Sequence, residues 1–194
     1  NHYFNLDAST LERLSNSFNN GNHYFELAEI EEVNDKLCVI LEQHLIEGTD
    51  VHYEPVAHED LTHWHQASAT VYTGNMLVFV YDKMLEPLNK FEIIKCQKGS
   101  VFDGLNTLGH SVHKRNGKLV FLYSNSTKEV VNDALFVQVL DTEKVKMNQV
   151  KKIDLSRSHI AVIPSTLILS GQKIVVQTRK GILGKNNYLG VYEY

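Results

Sequence analysis

Polar and apolar positions along this chain alternate with a strand period or run continuously apolar over strand lengths. Four segments align without gaps: Asn34-Asp35-Lys36-Leu37-Cys38-Val39-Ile40-Leu41-Glu42-Gln43, Gly74-Asn75-Met76-Leu77-Val78-Phe79-Val80-Tyr81-Asp82-Lys83, Asn116-Gly117-Lys118-Leu119-Val120-Phe121-Leu122-Tyr123-Ser124-Asn125 and Gly171-Gln172-Lys173-Ile174-Val175-Val176-Gln177-Thr178-Arg179-Lys180. Each opens with a dipeptide able to take positive φ and continues into β-branched and aromatic residues, which predicts a tight hairpin and its outgoing strand. Incoming strands are predicted at Phe25–Ile30, Ala69–Tyr72, Ser111–Lys114 and Thr166–Leu169. A third strand follows each turn at a nearly constant distance, at Asp50–Ala57, Lys90–Cys96, Ala134–Leu140 and Tyr188–Tyr194. Ahead of the first unit, Ser9–Phe18 predicts a short helix with Leu11 and Leu14 on one apolar face, and Asn16–Asn22 reads as a loop.

A strand–turn–strand–loop–strand cassette recurring every roughly 40 to 55 residues has the period of a β-propeller blade. The middle runs, such as Leu119–Tyr123, are apolar on both faces and suit strands covered from both sides. A twisted meander of this kind cannot bury both faces alone, whereas radial stacking of several covers them. The expected fold is therefore all-β, a β-propeller or part of one with four blade-like repeats over 23–194 and turns near 34, 74, 116 and 171, preceded by an N-terminal segment over 1–22. A β-sandwich also supplies many short strands, but gives no reason for one cassette to repeat.

The bulk numbers narrow the partners. With 194 residues, 43% hydrophobic and 22% charged, the chain has the composition of a globular protein with a sizeable core. A net charge of −4 provides no general field for nucleic acid. The densest basic stretch, Lys144, Lys146, Lys151 and Lys152, is interrupted by Glu143 and reads as a solvated strand face. No apolar run approaches the roughly 18 residues that span a bilayer. Cys38 and Cys96 sit in apolar runs and read as small buried hydrophobes rather than a disulfide. Asn125-Ser126-Thr127 is a glycosylation sequon whose meaning depends on the compartment, which the sequence leaves open.

Candidate chemistry concentrates between Val51 and His65. His63 and His65 would share one strand face and, with His58, form the available set for a metal, although neither cysteine nor a helical HExxH pattern accompanies them. No cofactor motif is found: Gly181-Ile182-Leu183-Gly184-Lys185 lacks the spacing of a phosphate loop, and no serine sits in a nucleophile elbow. The element His58-Glu59-Asp60-Leu61-Thr62-His63-Trp64 resembles the Ser-x-Asp-Leu-x-x-Trp element of five-bladed furanosidase-type glycosidases, the invertase and arabinanase relatives, with His58 where they have Ser. Lys36–Gln43 is similar to their Gly-Lys-Tyr-x-Leu-Phe-Tyr-Gln strand. The resemblance covers about one blade in four, and the Asn-Asp-Pro-Asn-Gly, Arg-Asp-Pro and Glu-Cys-Pro motifs of that family are absent.

Three functions follow as expectations. The first is a non-catalytic propeller binding domain for a protein or glycan partner, with His58, Asp60, His63, Trp64 and His65 as binding residues. The second is a divergent or incomplete glycoside hydrolase, for which Glu26, Asp50 and Asp60 are the candidate carboxylates. The third is an assembly piece that completes a propeller with another chain.

Overall fold

The computed structural model describes residues 23–52, 66–100, 108–125, 134–154, 160–162, 166–180 and 187–193. Their strands are β1 (His23–Val33), β2 (Lys36–His52), β3 (Gln66–Tyr81), β4 (Pro87–Ile93), β5 (Gln97–Ser100), β6 (His110–Arg115), β7 (Lys118–Ser124), β8 (Ala134–Asp141), β9 (Lys146–Met147), β10 (Lys151–Asp154), β11 (Ile160–Val162), β12 (Ile168–Ser170), β13 (Lys173–Lys180) and β14 (Asn187–Glu193). They make three antiparallel sheets. The first runs β1-β2-β3-β4 with β5 also on β3; the second runs β10-β8-β7-β6 with β9 on β8. In the third, β11 and β12 share one edge of β13 and β14 lines the other. The described residues close no ring, and the Ser9–Phe18 helix lies outside them.

Three of the four expected turns are hairpin tips. Asn34 and Asp35 both take positive φ, 52° and 54°, between the paired Val33 and Lys36, the requirement of a two-residue I′ turn. Asn116 (46°) and Gly117 (71°) repeat this between Arg115 and Lys118, and Gly171 (62°) opens the turn between Ser170 and Lys173. The first two tips pack on each other. Asn34 Nδ2 donates to Gly117 O at 3.1 Å, and Thr142 Oγ1 donates to the same carbonyl at 2.6 Å. A Cβ on Gly117 would lie 2.4 Å from Asn34 Nδ2, so a side chain there would be strained at its φ and would push the Asn34 amide off the carbonyl it binds.

Gly74-Asn75 is not a turn. It lies inside β3, where the ladder to β2 passes from Glu42↔Met76 to His44↔Thr73. Two residues of β3 there oppose the single Gln43, which is a β-bulge. The dipeptide here kinks a strand rather than reversing it, and neither of its residues takes positive φ. The strands expected at 69–72 and 76–81 are consequently one strand, and β2 likewise runs on through Asp50. Four expected units thus give three sheets, the first two units being one sheet.

The sheets stack face to face. Leu119, Phe121, Tyr123 and Leu140 of the second pack on Val33, Cys38, Ile40, Met76, Val78, Val80 and Ile93 of the first. From the reverse face, Val120, Leu122, Leu135 and Val137 pack on Ile174 and Val176 of the third, with Leu167 ahead of β12. β7 is therefore buried along both faces, as its unbroken apolar run requires. On the outward face of the third sheet, Ile168, Leu189 and Val191 remain 60%, 77% and 60% exposed.

Candidate functional site

The bulge in β3 organises the densest group of ionisable side chains among the described residues. On β2, Glu42 and His44 share a side by the strand period, and the bulge on β3 places Thr73 opposite His44. Along the other edge of β3, pairing passes from β4 to β5 at the same level, and Lys95 lies in the connection. Gln97 follows on β5. Gly109 and His110 enter from the start of β6, and Ser124 from the end of β7. Bulges re-aim side chains in this way because the extra residue twists the strand locally.

At the centre, the fully buried Lys95 ammonium makes an ion pair with the Glu42 carboxylate. Its Nζ also donates to Thr73 Oγ1 and to Gln97 Oε1, each at 3.0 Å. An ammonium has three protons to donate, and three acceptors meet it here. Glu42, 5% exposed, receives His110 Nδ1 on Oε1 at 3.1 Å and faces His44 Nε2 from Oε2 at 3.4 Å. Gln97 ties the pair to the second sheet. Its Nε2 donates to Ser124 Oγ (2.6 Å) and Gly109 O (3.0 Å), and its Oε1 accepts the Gly109 N–H at 2.8 Å.

Burial by itself would raise the Glu42 carboxyl, but hydrogen bonds from His110 and His44 and the Lys95 charge outweigh it and hold it well below the usual carboxylate range. Burial pushes the Lys95 ammonium below its usual range, with Glu42 opposing. A carboxyl whose folded pKa lies below its unfolded value contributes stability above that unfolded value, 4.5 here, and loses it as pH falls further. Wild-type stability is thus expected to decline below about pH 4.5, and less steeply in Glu42→Gln. Urea titrations between pH 6 and 3 measure this, and equal slopes for the two proteins would refute it.

Of the carboxylates proposed from sequence, Glu26 reaches this group. It is the cross-strand partner of Glu42 in the β1–β2 ladder, and its Oε2 lies 3.8 Å from His44 Nε2. Its side chain is 63% exposed, so it stands at the solvent end of a row running Glu26, His44, Glu42, Lys95. Asp50 lies farther along β2, opposite Ser68, and is not among the residues brought together here. His58, Asp60, His63, Trp64 and His65 lie outside the described residues. Among the described residues, no group of three or more His, Cys, Asp or Glu is arranged to hold a metal ion. Both cysteines are free thiols, and burial pushes that of Cys38 up to about 11. No helix among the described residues is long and apolar enough to cross a membrane.

Sequence reasoning missed Glu42, His44, Lys95 and His110. A signal was present: Lys95 interrupts the apolar run Ile93-Ile94-Lys95-Cys96, and a lysine buried in such a run needs an anion. Comparison with known proteins settles nothing further. No family model, curated protein or solved structure matches the chain.

Proposed function

We propose that this chain is a non-catalytic binding domain in which the three sheets are successive propeller-type blades presenting a surface to a protein or glycan partner. One contrast carries the reading. Among the described residues, the buried ionisable side chains Glu42, Lys95 and His110 are spent on one another inside the stack, while large apolar side chains of the third sheet face outward. A general acid or nucleophile must reach a substrate atom, and Glu42 is enclosed by Lys95, His110 and His44. An exposed apolar patch is the ordinary mark of an interaction surface.

A glycoside hydrolase is the second reading. Its support is the opposition of Glu26 and Glu42 across adjacent strands with His44 between them, since such enzymes place two carboxyl groups on either side of the scissile bond. One pair of assays separates the readings: a glycan array, and hydrolysis of fructans and arabinans by wild type and Glu26→Gln. The binding reading expects no turnover. Turnover that Glu26→Gln abolishes would establish the hydrolase instead.

A further inference from the structure

The outer edges of the three sheets are not protected alike. Beyond β3 the first sheet ends on β4, whose exposed residues include Pro87 and Asn89, and its opposite edge, β1, carries Glu26, Glu29, Glu31 and Glu32. The second ends on β10, where Lys151, Lys152 and Asp154 are exposed. Proline and charge on an edge strand discourage pairing with another chain. The third sheet ends on β14, Asn187-Tyr188-Leu189-Gly190-Val191-Tyr192-Glu193, which carries no charge before Glu193. Glu193 itself stands opposite Lys173 in the ladder. Among the described residues no strand pairs with the far edge of β14, whereas both other sheets have a fourth strand in that position.

The order of residues along β14 selects the occupant. Read outward from Gly190 in either direction, it gives an aliphatic residue, a tyrosine and a polar residue. A strand with this symmetry is complementary to its own antiparallel copy. We propose that β14 pairs with β14 of a second copy of this chain about a two-fold axis through Gly190, joining the two third sheets into one. Leu189 then stands opposite the partner's Val191, Tyr188 opposite the partner's Tyr192, and Asn187 opposite the partner's Glu193.

No like charges meet in this register, and all seven residues find a counterpart. Slipping by two residues places an aliphatic residue opposite Glu193 or leaves part of the strand unpaired, and slipping by one turns every side chain to the wrong face. Glycine at the centre has a second reason: a Cβ there would lie 2.8 Å from the Tyr192 ring of the same chain. Pairing also gives the exposed Leu189 and Val191 a second cross-strand neighbour, on the side away from β13. A two-fold interface of this type is isologous and closes at two copies.

The test is the mass of the full chain in solution by light scattering after gel filtration. The expected value is twice 22.1 kDa. Leu189→Lys and Val191→Glu should each give the monomer mass with an unchanged circular dichroism spectrum, because each sets a charge against an aliphatic residue. Mixing the two variants should restore the doubled mass, since the introduced lysine then faces the introduced glutamate. A wild-type chain that is monomeric at about 0.1 mM overturns the proposal. So does a dimer indifferent to both substitutions, or a mixture of the variants that stays monomeric. The readout is independent of the sugar assays, so either proposal can fail alone.

Discussion

Replacing Lys95 with methionine is expected to lower the stability of the fold by about 3–5 kcal/mol, the range for removing one partner of a buried ion pair. The loss does not measure the worth of the salt bridge. It measures the cost of leaving the Glu42 carboxylate in a dry place with no cation, after Thr73 and Gln97 have also lost the donor they share. Methionine fills a similar volume, so the cavity contribution stays small. The double variant Lys95→Met with Glu42→Gln should therefore recover a large part of the loss, because a neutral amide can still accept from His110. Urea denaturation of the wild type, both single variants and the double variant completes the cycle. A single-variant cost below about 1 kcal/mol would mean that the pair is solvated and does not join the sheets.

This pair also shows where sequence reasoning stopped. Strand type, the hairpins at 34–35, 116–117 and 171–172 and the double-faced burial of β7 were all legible, because each rests on a local signal: a positive-φ dipeptide or an unbroken apolar run. The Gly74-Asn75 dipeptide carries the same local signal and does something else. Whether it turns or bulges depends on whether a partner strand continues past it, and β2 runs 17 residues without a break. That is a non-local fact. Glu42, Lys95 and His110 were illegible for the same reason: they lie far apart in the chain, and only the bulge and the change of partner from β4 to β5 bring them together. Glu26 stands out in the sequence only as one carboxylate among many, because its partner Glu42 lies opposite it on the next strand.

The stacking of the sheets has its own test, in Phe121. This residue sits mid-strand in β7, between Val112 of β6 and Gln138 of β8, and is fully buried against the first sheet. Phe121→Ala is expected to cost about 3–5 kcal/mol, the transfer free energy of the ring plus the cavity it leaves. Its neighbours Val120 and Leu122 point the opposite way, into the seam with the third sheet. Because β7 is common to both seams, the stack should loosen as a unit. Hydrogen exchange under native conditions should therefore show faster opening in β13 as well as in β2, although Phe121 touches only the first seam. Val191→Ala, measured on protein dilute enough to be monomeric, supplies the contrast: an exposed position away from either seam should move stability by less than about 0.5 kcal/mol. If Phe121→Ala accelerated exchange in the first and second sheets and left β13 untouched, the third sheet would be an independent unit. The chain would then be two cooperative bodies rather than one stack.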